Sequence, residues 1–118
     1  MIYTGYYAKV TKYKSINKTL KLISISRTSP YGIKLNGSVP ILAPSSDLLS
    51  DYKSGLVSQL EYKERYLNQL KRIDLKSIEN KLQNCILLCY ECSSDFCHRH
   101  ILAEYLRNNQ IKIKEFEC

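Results

Sequence analysis

The sequence has no long hydrophobic segment. Its apolar runs are far shorter than the ~20 residues that a membrane-spanning helix requires, and the first ten residues, MIYTGYYAKV, lack the pattern of a secretory signal peptide. Internal repeats and low-complexity tracts are also missing. These absences predict a cytoplasmic protein that does not associate with membranes. The length of 118 residues predicts a single domain over residues 1–118.

The cysteines do not have the pattern of a disulfide framework. Their number, five, is odd, and four of them lie between Cys85 and Cys97. Cysteines so close together do not connect distant parts of a chain, as the disulfides of small secreted domains do. We therefore expect reduced thiols, in keeping with a cytoplasmic location.

Acidic residues are scarce relative to basic ones. The chain has 11 Asp and Glu against 18 Lys and Arg, which gives a formal net charge of +7. This balance favours polyanionic partners, either nucleic acid or phosphorylated small molecules. The simpler interpretation is that lysines solvate the surface, because many of them are scattered along the chain from Lys9 to Lys21.

The order of apolar patterns predicts an α/β fold. Strands are expected at 2–10, 20–26, 85–90 and 111–116, helices at 47–54, 58–73 and 96–108, and a long ordered loop at 31–46. A strand–helix–strand sequence at the end of the chain implies two parallel strands. We therefore predict a three-layer domain, in which helices flank a mostly parallel sheet of about four strands.

Two segments carry more detailed signals. Ser58 and Glu61 form a capping box at the start of the middle helix. An apolar stripe is expected to follow on one face of that helix, made of Leu60, Tyr66, Leu67, Leu70 and Ile73. The alternating segment 111–116 is expected at the edge of the sheet, with its lysines in water.

Polar residues follow two of the predicted strands. Ser26 and Arg27 come after the second strand, and Glu91 comes after the strand at 85–90. Ligands of open α/β sheets bind beyond the carboxyl ends of the strands. If these two strands are neighbours, their polar ends face one pocket together with Cys97, His98 and Arg99.

The start of the helix at 96–108 is unusually rich in ionisable groups. Arg99 and the free backbone N–H groups of the first helical turn suit a phosphate or a carboxylate, and Arg27 and Ser26 would complete an anion-binding clamp. The structural alternative is that Arg99 forms an ion pair with Glu91, Asp95 or Glu104 and so fixes the turn. Structural ion pairs and ligand sites produce the same sequence pattern.

Three residues near this turn are candidates for catalysis: Glu91, Cys97 and His98. Cys97 is a candidate nucleophile, because a helix N-terminus and the neighbouring His98 and Arg99 stabilise a thiolate. Glu91 is a candidate acid or base. The alternatives are that Cys97 packs in the core and that Glu91 forms a salt bridge. Tyr6 lies near the same edge of the predicted sheet, where it would stack on a base.

A zinc site is a less favoured interpretation of the same segment. Its potential ligands are Cys89, Cys92, Cys97, His98 and His100. No second Cys-x-x-Cys pair or distant His pair completes a tetrahedral set. We therefore predict neither a metal nor another cofactor.

The same residues carry a family resemblance. A strand that ends in Cys89-Tyr90-Glu91 leads to Cys97-His98-Arg99 and to a helix with Ala103-Glu104. This pattern, with Ser24–Pro30 and Leu42–Leu70, resembles the uncharacterised family known as domain of unknown function 488. The resemblance implies a small α/β domain and brings no established activity. Cys92 and Cys118 lie outside the shared pattern.

These observations lead to one expected function and two alternatives. We expect an enzyme that acts on a nucleotide-like or phosphorylated small molecule. One alternative is a non-enzymatic module that binds nucleotides or nucleic acid. The other is an accessory protein of a phage or a bacterium that acts through protein partners.

Overall fold

The computed structural model describes residues 1–91 and 96–116. Five strands occur in these ranges: β1 (Ile2–Tyr6), β2 (Lys21–Ser24), β3 (Gly37–Ser38), β4 (Cys85–Cys89) and β5 (Ile113–Glu115). The α-helices of the same ranges are α1 (Val10–Ile16), α2 (Ser46–Lys53), α3 (Gln59–Leu70), α4 (Leu75–Lys81) and α5 (His98–Asn108). Short 3-10 turns occupy Tyr7–Lys9 and Pro40–Leu42.

The strands form one parallel sheet in the order β3-β2-β4-β1-β5. The predicted α/β fold with a parallel sheet is therefore confirmed. β4 lies at the centre, between β2 and β1. The two strands whose polar ends were predicted to share a pocket, β2 and β4, are direct neighbours. The additional strand, β3, comes from the segment predicted as a loop and is only two residues long.

The core lies on both faces of β4, which is buried at every position. Leu87 packs on one face in a cluster that includes residues of α2, α3, α4 and α5. Ile86 and Leu88 pack on the opposite face with Tyr13 of α1. Side chains of a strand alternate between the two faces, so a continuous apolar run such as Cys85–Cys89 fits a strand that is covered on both sides. The three-layer arrangement follows from this placement of the helices.

The first predicted strand is too long. β1 ends at Tyr6, and α1 begins at Val10, within the range predicted as strand. Tyr13 of α1 is buried against β1, and a Cβ atom built on Gly5 would lie 2.8 Å from its ring. The missing side chain at Gly5 therefore lets the aromatic ring of Tyr13 lie directly on the strand. Burial of this ring stabilises a helix that has no side-chain cap at Lys9.

The capping box that begins α3 is confirmed, since Ser58 and Glu61 exchange the expected hydrogen bonds. The predicted apolar stripe is wrong at its start, because Leu60 is 66% exposed. Tyr62 begins the buried face instead, and Tyr66 and Leu70 continue it at four-residue spacing. This spacing places all three side chains on one side of a helix.

Other element boundaries differ from the predictions by a few residues. α2 begins at Ser46 after a Ser45 cap and ends before Gly55, whose φ of +80° suits the end of a helix. α5 begins at His98, with Cys97 as its N-cap residue. β5 is an edge strand with an exposed Lys114, as predicted. Within residues 1–91 and 96–116, no helix is long and apolar enough to cross a membrane.

Candidate functional site

A cavity of about 340 Å³ opens at the carboxyl ends of β2 and β4. Its walls come from the segments that follow these strands, from α2 and α3, and from the start of α5. The lining residues are Ser26, Arg27, Thr28, Pro44, Leu49, Tyr52, Lys53, Tyr62, Cys89, Tyr90, Glu91, Phe96, Cys97 and His98. The cavity lies where ligands of parallel α/β proteins usually bind.

The structure brings together five of the residues that were predicted to form a site. Ser26, Arg27, Glu91, Cys97 and His98 all line the cavity. Arg27 is exposed and makes no hydrogen bond or ion pair with any described residue. The side chain of Glu91 is also exposed. The neighbouring positions of β2 and β4 explain this convergence, because both strands end at the same edge of the sheet.

Arg99 does not line the cavity, contrary to the prediction that it binds an external anion. Its side chain is 0% exposed. Nε and Nη2 donate to the two carboxylate oxygens of Glu115, at 3.1 and 2.8 Å. Nη1 donates to Cys89 Sγ at 2.8 Å and to the backbone carbonyl of Glu91. The groups that bind Arg99 therefore belong to the protein itself.

The ion pair of Arg99 is structural, but with a different partner from those considered in the sequence. Glu104 pairs with Lys63 on the surface, Glu91 contributes only its carbonyl, and Asp95 lies outside the described residues. Glu115 of β5 was not considered, because only the sheet order shows that β5 lies beside β1.

Glu115 is held in place by further contacts. Thr4 Oγ1 of β1 donates to Glu115 Oε1 at 2.7 Å. Burial acts to raise the pKa of Glu115, but the hydrogen bonds from Arg99 and Thr4, with the charge of Arg99, lower it overall. Burial likewise acts to lower the pKa of Arg99, and its bonds with Glu115 and Cys89 raise it overall. The pair is therefore ionised at neutral pH.

Two cysteine sulfurs and one imidazole lie together in the cavity wall. The ligand atoms of Cys89, Cys97 and His98 all lie within 4.8 Å of one another. A hydrogen bond from the Cys97 thiol and the charge and N–H group of Arg99 lower the pKa of Cys89, against the effect of burial. The same hydrogen bond, together with burial, raises the pKa of Cys97. Arg99 Nη1 is 2.8 Å from Cys89 Sγ and 3.7 Å from Cys97 Sγ, so the sulfur with the lowered pKa is the one closer to the guanidinium.

The favoured thiolate is therefore Cys89, whereas the sequence pattern had placed it at Cys97. The sequence argument used the helix N-terminus, where Cys97 lies. In the folded protein a guanidinium in direct contact with Cys89 Sγ outweighs the more distant helix dipole, because charge–charge interactions strengthen as the distance shortens. Cys97 then becomes the thiol that donates a hydrogen bond to the thiolate.

The orientation of His98 leaves one nitrogen able to accept a proton. Nε2 lies 2.6 Å from the carbonyl oxygen of Ile25, and a carbonyl oxygen can only accept, so Nε2 carries the proton. Nδ1 then has the lone pair, 3.8 Å from Cys97 Sγ. Burial lowers the pKa of His98, with smaller opposing effects from Ile25 and Glu91. A neutral His98 thus offers Nδ1 as a hydrogen-bond acceptor near Cys97 Sγ.

One wall of the cavity is aromatic. The ring centroids of Tyr52, Tyr62 and Phe96 lie 5.0–5.6 Å from one another. Burial, with the nearby charges of Cys97 and Glu91, raises the pKa of Tyr62, so its hydroxyl stays protonated. Lys53 on α2 is exposed at the same cavity. The cavity thus combines apolar ring surfaces with the cations of Arg27 and Lys53.

Tyr6 and Ser26 contact protein groups. The Tyr6 ring lies 5.5 Å from the guanidinium carbon of Arg99 and does not line the cavity, so the structure does not place it where a base would stack beside the thiols. Ser26 lines the cavity, but its hydroxyl hydrogen-bonds with the Tyr7 hydroxyl at 2.7 Å and with the Thr28 carbonyl.

The trio Cys89, Cys97 and His98 has the chemistry of zinc ligands. Its surroundings do not suit a dication, because Arg99 Nη1 already lies at hydrogen-bonding distance from Cys89 Sγ. A zinc ion bound here would be adjacent to the guanidinium charge. Of the other residues considered for zinc, Cys92 lies outside the described residues and His100 is not in this cluster.

Several residues of the site were not identified from the sequence. They are Cys89 as the thiolate, Glu115 as the partner of Arg99, and Tyr52, Lys53, Tyr62 and Phe96 in the wall. The period-two alternation of a strand gives a signal for Cys89, since it places Cys85, Leu87 and Cys89 on the same face. Tyr62 is four residues before Tyr66, which is a signal for a shared helix face.

The fold and the site define a small parallel α/β protein with a paired-thiol cavity at the carboxyl ends of its strands. A family model for DUF488-N3a, described as the active DUF488-N3 subclade, matches residues 6–110. The chain therefore belongs to the DUF488 family, and the resemblance seen in the Cys-x-Glu and Cys-His-Arg segments is confirmed. The chain matches no curated protein and no solved structure.

Proposed function

We propose that this protein is a cytoplasmic enzyme with a cysteine nucleophile that acts on a nucleotide-like or phosphorylated small molecule. The observation that carries the proposal is the contact between Arg99 and Cys89 beside a cavity, because a guanidinium at 2.8 Å favours the thiolate, the reactive form of cysteine. The description of the matching subclade as active supports an enzyme.

The cavity walls support the proposed substrate class. Small-molecule sites typically have volumes of roughly 300–1,000 Å³, and the cavity measures about 340 Å³. Aromatic faces such as Tyr52 and Tyr62 suit a planar base. Arg27 and Lys53 would contact a phosphate group, and a guanidinium matches phosphate geometry with paired N–H donors. Unlike Arg99, Arg27 has no other hydrogen-bonding partner among the described residues.

The three polar groups have distinct roles in the proposed chemistry. Cys89 Sγ attacks an electrophilic atom of the substrate and forms a covalent bond while the leaving group departs. The leaving group takes up a proton from solvent water. A second water molecule then breaks the covalent bond, the Glu91 carboxylate, exposed at the cavity, accepts the proton of that water, and Cys89 returns to the thiolate. The Cys97 thiol donates a hydrogen bond to Cys89 Sγ and so stabilises the thiolate.

Thermal unfolding in the presence of ligands tests the substrate class. The panel consists of nucleoside mono- and diphosphates, sugar phosphates and inorganic phosphate. A ligand that binds only the native state adds about 2.7 kcal/mol of stability at a hundredfold excess over its Kd. We expect at least one phosphorylated compound to raise Tm, with a smaller shift in Arg27→Ala. Arg72→Ala is the matched control, because Arg72 is exposed and does not line this cavity.

The compound that binds is then incubated with the protein to test for a reaction. Wild-type protein is expected to consume it, and Cys89→Ser is expected to bind it without consuming it. No Tm shift from any phosphorylated compound, or equal shifts in Arg27→Ala and the wild type, would contradict the substrate class. Consumption by Cys89→Ser at the wild-type rate would contradict the nucleophile.

A non-enzymatic nucleotide- or nucleic-acid-binding module is the second candidate. The observation in its favour is the burial of the thiols, since Cys89 is 0% and Cys97 5% exposed and unreactive cysteines are often buried. This function predicts ligand binding without consumption by any variant. Binding to nucleic acid would also weaken steeply with added salt, because phosphate contacts release counterions.

A further inference from the structure

Cys89 and Cys97 approach each other from different elements. Cys89 ends β4, and Cys97 is the N-cap residue of α5. Their sulfur atoms lie within 4.8 Å. Both are free thiols in this arrangement. A disulfide requires an S–S distance of about 2.05 Å. Because the two sulfurs are already close, rotation of the two side chains can bring them to this distance.

The surroundings of the two sulfurs are unequal. Arg99 Nη1 lies 2.8 Å from Cys89 Sγ and 3.7 Å from Cys97 Sγ, so the guanidinium favours negative charge at Cys89. His98 Nδ1 lies 3.8 Å from Cys97 Sγ and can accept its proton. One sulfur is thus prepared to react first, and the other can be deprotonated afterwards.

We propose that Cys89 and Cys97 form a peroxide-oxidisable dithiol, in which Cys89 is oxidised first and Cys97 then closes an intramolecular disulfide. This inference does not depend on the proposed substrate reaction. The oxidant is a hydroperoxide such as hydrogen peroxide, a molecule smaller than the cavity that both cysteines line.

The chemistry has two steps. The Cys89 thiolate attacks one oxygen of hydrogen peroxide, the O–O bond breaks, and the products are Cys89 sulfenic acid and hydroxide. Oxidation of Cys89 removes the thiolate that raises the pKa of Cys97. The Cys97 thiol then gives its proton to His98 Nδ1, and the Cys97 sulfur attacks Cys89 Sγ. The S–O bond breaks as the S–S bond forms, and the hydroxide that leaves takes up a proton to become water. The two thiols lose two electrons in total, and the peroxide gains them.

Cys85 provides a matched control within the same strand. It lies at the opposite end of β4 from Cys89 and is also buried. Burial raises the pKa of Cys85, against a small effect of Lys21. Cys85 therefore has a similar backbone setting without a guanidinium at its sulfur.

The test is oxidation of the reduced protein with hydrogen peroxide, followed by alkylation and peptide mass spectrometry. We expect a Cys89–Cys97 disulfide in the wild type that dithiothreitol reverses. Cys97→Ser should instead accumulate a Cys89 sulfenic acid that dimedone traps, and Cys85→Ser should behave like the wild type. Cys89 should be oxidised faster than Cys85, because the guanidinium of Arg99 contacts its sulfur and favours the thiolate, which is the form that reacts.

The wild-type experiment is decisive even if a variant fails to fold, because the peptide map alone identifies the bonded cysteines. Oxidation of Cys85 as fast as Cys89 would overturn the proposal. So would a disulfide that joins either cysteine to Cys92 or Cys118, or oxidation that stops at the Cys89 sulfenic acid in the wild type.

Discussion

At the scale of single residues, Arg99 has the largest effect on the site, because it contacts both Glu115 and Cys89. Its position next to two histidines and a cysteine suggested a ligand for an external anion, but the anions it binds are the Glu115 carboxylate and the Cys89 sulfur. A buried cation requires such partners, because an unpaired charge in the interior is strongly destabilising. The same side chain therefore connects the stability of the fold with the ionisation of the thiol.

Replacement of Glu115 by Gln tests this connection. The folded-state pKa of Glu115 is lowered, so its contribution to stability is present above the pKa of an unfolded Glu, ~4.3, and is lost as the pH falls through the folded-state value. We expect Glu115→Gln to reduce the free energy of unfolding at pH 7 by about 1–3 kcal/mol. On acidification below about pH 4.3 the wild type should lose its advantage over the variant.

Chemical denaturation at pH 7 and at a series of acidic pH values measures this difference. Glu104→Gln is the matched control, because the pair of Glu104 with Lys63 is exposed and is expected to contribute less than about 1 kcal/mol. A constant difference between wild type and Glu115→Gln over the whole pH range would contradict the assigned pKa shift.

At the scale of elements, β1 and α1 depend on a close approach at Gly5. A Cβ atom on Gly5 would lie 2.7 Å from Ile86 Cδ1 and 2.8 Å from the ring of Tyr13. Both neighbours are buried, so neither can move freely. Gly5 thus allows α1 to pack on the sheet, although a glycine inside a strand usually weakens it.

Gly5→Ala is therefore expected to destabilise the protein by about 1–3 kcal/mol, as overpacking of a core does. Gly37→Ala is the control, since a Cβ there meets Ile23 Cδ1 at an ordinary 3.6 Å, and we expect a change of less than about 0.5 kcal/mol. Urea denaturation of both variants measures the effect. Equal stability of Gly5→Ala and the wild type would show that Tyr13 moves aside without cost.

Elements with local signals were predicted from the sequence, and elements that depend on tertiary contacts were not. β4 was found because Cys85–Cys89 is a continuous apolar run, and α3 because Ser58 caps it. α1 was missed because its N-cap residue, Lys9, makes no side-chain hydrogen bond and its main anchor is Tyr13 on the sheet. Propensity is a weak guide where packing decides the outcome.

The candidate site shows the same division. Arg27 and Glu91 were placed together because strand ends of a parallel sheet meet at one edge. The partnership of Arg99 with Glu115 joins α5 to β5, and the position of the favoured thiolate, Cys89, follows from it. A local sequence pattern does not predict a contact that depends on the order of the strands in the sheet.

At the scale of the whole molecule, we expect the backbone amides at the centre of the sheet to be the best protected from hydrogen exchange. β4 has hydrogen-bonded neighbours on both sides and packed layers on both faces. β3 and β5 are short edge strands of two and three residues. Amides in central strands commonly exchange only through global unfolding, whereas edges open locally.

Hydrogen–deuterium exchange is therefore expected to be slowest in β4 and in the neighbouring β1. Amides of β3 should exchange sooner, because that strand pairs on one side only. Mass spectrometry of peptic peptides at several labelling times measures the order. Exchange in Cys85–Cys89 as early as in Gly37–Ser38 would contradict the central position of β4.

The bond between Arg99 and Glu115 also has a consequence during synthesis of the chain. Ribosomes add residues from the N-terminus onward, and β5 is made after β4 and α5. Until β5 pairs with β1, Glu115 cannot hold the guanidinium against Cys89 Sγ. We therefore expect the nascent chain to lack the contact that favours a thiolate at Cys89 until the sheet is complete.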